Sequence, residues 1–172
     1  MPHFAYQVPE TVHYSTELPV KDERGKTLFL LQKRPHKFLA SIANETLRGG
    51  VPFTYKISNA NGAVLYRIGC WFPGIRYEIT DYSSSQTVPI SSQRVQLTEK
   101  SYSFKLSSDN YCCEKDYTGT GHLTCNGEKI AIVSMPSSTT TSAIDTINIA
   151  ALTEGIAALS AVLFHTFYYY NA

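Results

Sequence analysis

The last stretch of the chain, "TEGIAALSAVLFHTFYYYNA" (residues 153–172), decides which fold the sequence can adopt. Ten uncharged, mostly apolar residues lie between Glu154 and His165, and as an α-helix they span only ~15 Å. A hydrocarbon core is ~30 Å thick, so a membrane span would have to carry one of these two polar residues inside it. No Lys or Arg follows Lys129 to set an orientation in a membrane. We therefore expect a helix buried in protein, with a C-terminal membrane anchor as the alternative.

Composition narrows the class of protein. A chain of 172 residues suits one domain with a real core. Charged residues make up 17 % and aromatic residues 12 %, which excludes a disordered chain and favours β-structure. A net charge of +1 creates no field that attracts nucleic acid, so no nucleic-acid partner is expected. The start "MPHFAYQVPE" lacks the features of a secretory signal, so we expect a cytoplasmic protein whose cysteines are thiols.

The rest of the sequence consists largely of short alternating segments separated by turns. Asn126-Gly127 suits a type I′ turn, in which both central residues have positive φ, and Gly25 and Gly62 suit slightly longer turns. The flanking segments alternate with period two, as in sheets with one buried face. Four hairpins are predicted, at "PVKDERGKTLFLL" (19–31), "YKISNANGAVLYRI" (55–68), "YEITDYSSSQTVPI" (77–90) and "HLTCNGEKIAIV" (122–133). About ten to twelve strands at this spacing indicate a barrel or a sandwich.

The apolar surface of the terminal helix favours a barrel over a sandwich. It is apolar on all sides, which is typical of a helix surrounded by protein, and the surrounding elements here are strands. We therefore predict a mainly β protein in which a closed barrel encloses the helix. Thr153 is a suitable N-cap for it. The large residues of its core stripe are Ile156, Leu159, Leu163 and Phe167.

Polar groups near the end of this helix are expected at a barrel mouth. His165 is predicted to be a hydrogen-bonded histidine and not a catalytic base. Tyr168, Tyr169 and Tyr170 are predicted to plug the mouth, with their rings inside and their hydroxyls at water.

One stretch departs from the strand pattern. In "PHKFLASIANETL" (35–47) the apolar residues recur at helical spacing. Pro35 suits the first turn of a helix, and Gly49-Gly50 would end it. We predict one short amphipathic helix inserted between strands.

Together these segments resemble a known fold family. The hairpins "ISNANGAVLYRI", "RYEITD" and "NGEKIAIV", and the strand "TINIAAL" leading into "TEGIAALSAVLFHTF", are similar to the tubby C-terminal-like and LURP-one-related superfamily, which is related to the phospholipid scramblases. The small bacterial tubby-like proteins are the most similar in pattern. The resemblance implies a closed, roughly 12-stranded antiparallel barrel around a C-terminal helix at about 153–170. It implies that residues 1–172 form one tubby-like domain.

The resemblance also suggests a class of function. Animal tubby domains bind phosphoinositides through basic side chains on the barrel surface, so it implies a non-enzymatic protein that binds phospholipid headgroups or a protein partner. Peripheral attachment to a membrane is then expected. It implies no cofactor. The alternatives are a small ligand-binding or hydrolytic β-barrel, which would need an open cavity with convergent polar groups, or the anchored protein considered above.

The densest basic stretch is "QKRPHK", which supplies Lys33, Arg34, His36 and Lys37 as candidate ligands for phosphate or anionic lipid. These residues lie at the start of the inserted helix, and a helix N-terminus together with Lys and Arg favours phosphate binding. The alternative is that these charges only solvate a helix that caps the barrel.

The four cysteines predict no metal site. Cys112 and Cys113 are adjacent in a strand, so their side chains point to opposite faces and cannot easily ligate one ion. If the following turn is centred on Gly119, Cys113 lies opposite Cys125, and a cross-strand disulfide is an alternative to buried thiols. "TGTGH" (118–122) is interpreted as a β-turn, because it lacks the context of a phosphate-binding loop. No catalytic residue is predicted.

Overall fold

The computed structural model describes residues 1–34, 54–71, 76–94, 100–134 and 144–169. In this part of the chain, twelve antiparallel strands form one closed barrel in which each strand pairs with the next and the last pairs with the first. The predicted fold class is therefore confirmed, whereas the helix predicted at 35–47 lies outside the described residues. The strands are β1 (His3–Pro9), β2 (Glu17–Asp22), β3 (Thr27–Lys33), β4 (Tyr55–Asn59), β5 (Val64–Trp71), β6 (Arg76–Asp81), β7 (Gln86–Arg94), β8 (Lys100–Leu106), β9 (Asp109–Lys115), β10 (Thr120–Cys125), β11 (Glu128–Ser134) and β12 (Ile144–Ala151).

The two ends of the barrel differ in their connections. Five tight turns meet at one end, which we call the hairpin end, at residues 23–26, 60–63, 82–85, 107–108 and 126–127. The turn at 116–119 and the strand ends that flank residues 35–53 and 135–143 lie at the other end, which we call the loop end.

The predicted turn chemistry is confirmed. Asn126 and Gly127 both have positive φ (51° and 86°), and Gly25 and Gly62 are left-handed as well. A fifth hairpin, between β8 and β9, was not predicted. Its left-handed residue is Ser107 (φ 55°), and serine gives a weaker turn signal than glycine.

Alternation along the strands builds the core. Ile147, Ile149 and Ala151 of β12 are buried, whereas Asn148 between them is exposed and Ala150 is half-buried. Tyr102, Phe104 and Leu106 of β8 are likewise buried. One face of each strand thus lines the barrel interior, as the period of two predicts.

Within the described residues, one helical segment occupies the axis of the barrel. The α-helix α1 (Glu154–Phe164) continues into a π-helical segment, His165–Tyr169. Its N-cap is Thr153, as predicted, and the Thr153 hydroxyl accepts a hydrogen bond from the Ile156 amide at 3.3 Å. Of the four predicted stripe residues, Ile156 is half-buried near the hairpin end, and Leu159, Leu163 and Phe167 are buried.

Small residues let the wall approach the helix. Ala157, Ala158 and Ala161 are fully buried, and α1 packs mainly against β3, β4, β5, β11 and β12. On β10, Gly121 lies against the Phe164 ring, where a Cβ atom would overlap the ring. The two glycines of "TGTGH" therefore have different roles. Gly119 (φ 85°) makes the predicted turn, and Gly121 makes room for the helix.

Candidate functional site

The predicted basic residues lie where β3 ends, at the loop end. Lys33 is the last residue of β3 and Arg34 follows it. His36 and Lys37 lie outside the described residues. Because neighbouring residues of an extended chain point in opposite directions, Lys33 and Arg34 face different environments. The structure does not bring these two side chains together.

Lys33 lies on the inward-facing side of the strand, opposite buried Tyr55 in the register of β3 and β4. Its ammonium group donates a hydrogen bond to the Val12 carbonyl at 3.4 Å and lies 5.4 Å from the centre of the Tyr14 ring. Partial burial lowers the pKa of Lys33. Lys33 is thus engaged with the rim of the barrel.

Arg34 reaches across the end of β4. Its amide donates to the Thr54 carbonyl at 2.8 Å, and its Nη1 donates to the Ile68 carbonyl of β5 at 2.7 Å. Burial lowers the pKa of Arg34, and the positive charge of Arg67 lowers it further. Two guanidinium groups are therefore close enough to repel each other.

A third cation completes this group. Lys56 of β4 is the direct cross-strand partner of Arg67 in β5. Lys56 lies between two buried residues and Arg67 directly before buried Ile68, so both lie on the outer face. We call Arg34, Lys56 and Arg67 the outer basic patch. Among the described residues, the only ion pair joins His122 and Asp116, so no carboxylate in this part of the chain pairs with the patch.

The surroundings of Arg67 show how the patch is held. Its guanidinium lies 5.8 Å from the centre of the Tyr82 ring, a cation–π distance. Its Nε is buried and has no hydrogen-bond acceptor among the described residues. The negative charge of the Glu78 carboxylate raises the pKa of Arg34, although less than burial lowers it. The patch is thus a fixed, partly desolvated set of donors suited to an anion.

Sequence reasoning missed Arg67 and Lys56, although a signal was present. The hairpin predicted at 55–68 turns around Gly62, and its two arms must then bring residues 56 and 67 near each other. Arg34 is added only by tertiary packing across β4, which sequence spacing does not show.

The barrel axis holds a second polar cluster around His165, which is fully buried. Its Nδ1 lies 3.2 Å from the Tyr6 hydroxyl, and the rings of Tyr55 and Tyr169 pack on it at 4.3 Å and 5.0 Å. The prediction of a hydrogen-bonded histidine is confirmed. Burial lowers the pKa of His165 to about 3, so the imidazole is neutral at physiological pH.

The tyrosines that follow were predicted to present their hydroxyls to water, and this prediction is wrong. The Tyr168 hydroxyl lies 2.6 Å from the Lys100 carbonyl and 3.0 Å from the Cys113 carbonyl. The Tyr169 hydroxyl donates to Asp145 at 2.7 Å. Polar groups of the barrel wall are within reach, so these hydroxyls tie the helix end to the wall. Tyr170 lies outside the described residues.

The predicted alignment of Cys113 with Cys125 is also wrong. Cys113 lies opposite Leu123, and Cys125 lies opposite Tyr111, because the turn is centred one residue earlier than assumed. All four cysteines are free thiols, and burial raises the pKa of the Cys113 thiol. Such thiols are poor nucleophiles.

Two further properties of the described part of the chain bear on function. No helix in it is both long enough and apolar enough to cross a membrane. No three His, Cys, Asp or Glu side chains within it lie close enough together to hold a metal ion.

The described elements place this protein in the class in which a closed antiparallel barrel surrounds one apolar helix. The family model described as Tubby C-terminal like domain matches residues 4–170. The chain therefore belongs to the tubby C-terminal-like family, and the resemblance found in the sequence is confirmed. No curated protein and no solved structure matched the chain.

Proposed function

We propose that this tubby-like domain is a non-enzymatic binding protein that holds a phosphate-bearing phospholipid headgroup on the outer basic patch. The observation that carries the proposal is the proximity of Arg34 to Arg67, next to Lys56, with no carboxylate at ion-pair distance among the described residues. Such a group of cations binds a doubly charged anion more strongly than it binds water.

The chemistry of the patch supports phosphate over a single carboxylate. A guanidinium presents several N–H donors in one plane and binds phosphate oxygens in pairs. The hydrogen bond from Arg34 to the Ile68 carbonyl fixes one guanidinium before any ligand arrives. Arg67 has a buried Nε without an acceptor in the described structure, and leaving such a donor unsatisfied costs roughly 1–3 kcal/mol. An anion near both groups would also relieve their mutual repulsion.

The expected affinity for membranes is modest. Each basic residue near an anionic surface contributes about 1 kcal/mol, and the effect fades within a Debye length. Three such residues support reversible, salt-sensitive attachment at the periphery of a membrane. His36 and Lys37 remain predicted as additional contacts, since they follow Arg34 closely in the sequence, whereas Lys33 faces the rim of the barrel.

Vesicle co-sedimentation at low salt tests the proposal. Vesicles of phosphatidylcholine alone should not bind the protein, whereas vesicles that also contain phosphatidylserine or a phosphoinositide should. Arg67→Glu and Arg34→Glu should each abolish binding. Lys129→Glu, which makes the same charge change on exposed β11, should not. An equal loss with Lys129→Glu would reduce the effect to net charge, and no binding at low salt would overturn the proposal.

The same variants are used to distinguish a lipid headgroup from a phosphorylated protein as the ligand of the outer basic patch. Titration with a soluble inositol phosphate measures phosphate recognition without a membrane. Tight binding of the soluble compound without vesicle binding would direct the search to proteins.

A further inference from the structure

We propose that the seam between β7 and β8 is a separate binding site for a small amphipathic anion, such as a fatty or aryl carboxylate. The site lies in the barrel wall and not in its axis, because α1 fills the axis. It shares no residue with the outer basic patch, which lies after the end of β3 and on β4 and β5.

The pairing between β7 and β8 stops before the strands do. The paired residues are Ser91–Arg94 of β7 and Lys100–Ser103 of β8. β7 begins earlier, at Gln86, and β8 continues to Leu106. About half of each strand is therefore not paired with the other. On its opposite side, β7 remains fully paired with β6 over Gln86–Ile90.

Pro89 explains why this part of the seam stays open. It lies in the stretch of β7 that pairs only with β6, and extending the register from Ser91 and Ser103 would place it opposite Lys105. Proline has no N–H to donate, so it occurs in sheets where one side of a strand lacks a partner.

The open stretch is closed at both ends. At the loop end it is limited by the pair Ser91 and Ser103. At the hairpin end the side-chain oxygen of Gln86 accepts a hydrogen bond from the Ser107 amide at 3.0 Å. A side chain thus replaces a backbone pair there, and the gap becomes a bounded slot.

The slot has a volume of about 590 Å³. This falls within the ~300–1,000 Å³ of small-molecule sites. Phe104 and Tyr111 form its apolar floor, with parallel rings whose centres are 5.2 Å apart, and Val88 lies beside them. The backbone of α1 lies nearer to β3–β5 and β11–β12 than to this side of the barrel. A flat or linear apolar group could therefore lie against the two rings.

The residues at the rim of the slot indicate which polar group the ligand carries. Lys105 is the only charged residue that lines the slot, and its other polar lining comes from side chains such as Ser91, Ser103 and Asn110. Lys105 is exposed and has no ion-pair partner in the described part of the chain. One uncompensated ammonium above an apolar floor matches a ligand with one anionic group and an apolar body.

The test uses dodecanoate and the fluorescent aryl sulfonate 8-anilinonaphthalene-1-sulfonate as probes on the full chain. Calorimetric titration with dodecanoate, and fluorescence titration with the sulfonate, should each show one saturable site, and the two probes should compete. Amide NMR shifts should concentrate on β7, β8 and β9. Shifts centred on α1, or fluorescence that does not saturate, would overturn the proposal.

Two variants locate the site. Lys105→Gln should weaken both probes about tenfold, the worth of one charge-assisted hydrogen bond, and Lys129→Gln is the matched control. Ser91→Trp places an indole from an exposed position over the slot and should abolish binding. Near-UV circular dichroism confirms that each variant is folded; if Ser91→Trp does not fold, Lys105→Gln decides. Undiminished affinity in Lys105→Gln would refute the assignment.

The two proposals fail independently. Arg67→Glu should leave both probes bound as tightly as before, and Lys105→Gln should leave vesicle binding intact. Loss of probe binding in Arg67→Glu would show that the seam is not a site of its own.

Discussion

The two parts of the axial segment bury their surface in different ways. In α1 the interior is made by alanines and by large apolar residues such as Leu159 and Leu163, which fill space without directional contacts. In the π-helical segment, His165, Tyr168 and Tyr169 contribute polar atoms that bind the wall. Packing secures the first part, and hydrogen bonds secure the second.

This difference shows how the helix acquires a unique position. An apolar helix inside a barrel can slide or rotate with modest changes in packing, because apolar contacts are not directional. The polar end has few alternatives, since each buried donor must find its acceptor. Its partners come from β1, β8, β9 and β12, so it also ties the first strand to the last.

The largest loss of stability is expected from a substitution in the apolar part, α1. Leu159→Asp places an unpaired carboxylate at a site that is only 3 % exposed, and it should destabilise the fold by more than about 4 kcal/mol. Circular dichroism and yield of folded protein measure the loss. Leu152→Asp, at an exposed position just before the helix, is the matched control. A folded Leu159→Asp protein would contradict the axial helix.

The next effect tests how closely the wall approaches α1. Gly121→Val forces a branched side chain against the Phe164 ring and should cost about 2–3 kcal/mol in unfolding free energy, as overpacking does. Urea denaturation measures it. Adding Phe164→Leu should recover part of the loss in a double-mutant cycle. Purely additive effects would mean that the two residues are not in contact.

The polar part should make stability depend on pH. The pKa of His165 is about 3 in the fold against about 6.5 in an unfolded chain. Between these values the unfolded chain binds the additional proton, so His165 lowers stability as pH falls, by up to about 1.4 kcal/mol per unit. His165→Phe should flatten the dependence of the urea midpoint on pH between 6.5 and 4. Thr166→Val, a buried neighbour that does not titrate, should keep the wild-type slope; equal slopes in all three proteins would show that His165 is protonated without cost.

The smallest expected effect concerns the start of the helix. Thr153→Ala removes the acceptor of the Ile156 amide and should lower stability by about 1 kcal/mol. Thr153→Ser keeps the acceptor and should match the wild type in thermal denaturation. If alanine and serine behave alike, the cap does not stabilise α1.

The sequence predicted the apolar part well and the polar part poorly, for physical reasons. Turn residues and alternation are local signals, so the hairpins could be found, and an all-round apolar helix among strands required a barrel. The partners of His165 and Tyr168 lie in strands more than fifty positions away, at Tyr6, Lys100 and Cys113. No local pattern records such distances. The misplaced cysteine pair shows the same limit, because shifting a turn by one residue moves the opposite partner by two.

The candidate sites follow the same rule. Lys33 and Arg34 were found as a charged run, but a run of charges in an extended segment does not share one face. The partners that make Arg34 part of a patch, Lys56 and Arg67, depend on strand register. The seam beside Pro89 depends on where the pairing of β7 with β8 stops. A proline in the sequence indicates that pairing is interrupted, but it does not determine the position.

The position of α1 after the last strand has a consequence for how the molecule is made. A ribosome adds roughly 5–20 residues per second, so β1 emerges many seconds before the helix that fills the barrel. β12, which closes the barrel against β1, also emerges late, and the core is incomplete until α1 follows it. All twelve strands precede α1, so their apolar faces stay uncovered until it emerges, and such chains fold slowly and aggregate readily. We expect the barrel to complete its fold only after α1 has emerged from the ribosome, with chaperones occupying in the meantime the surface that α1 later covers.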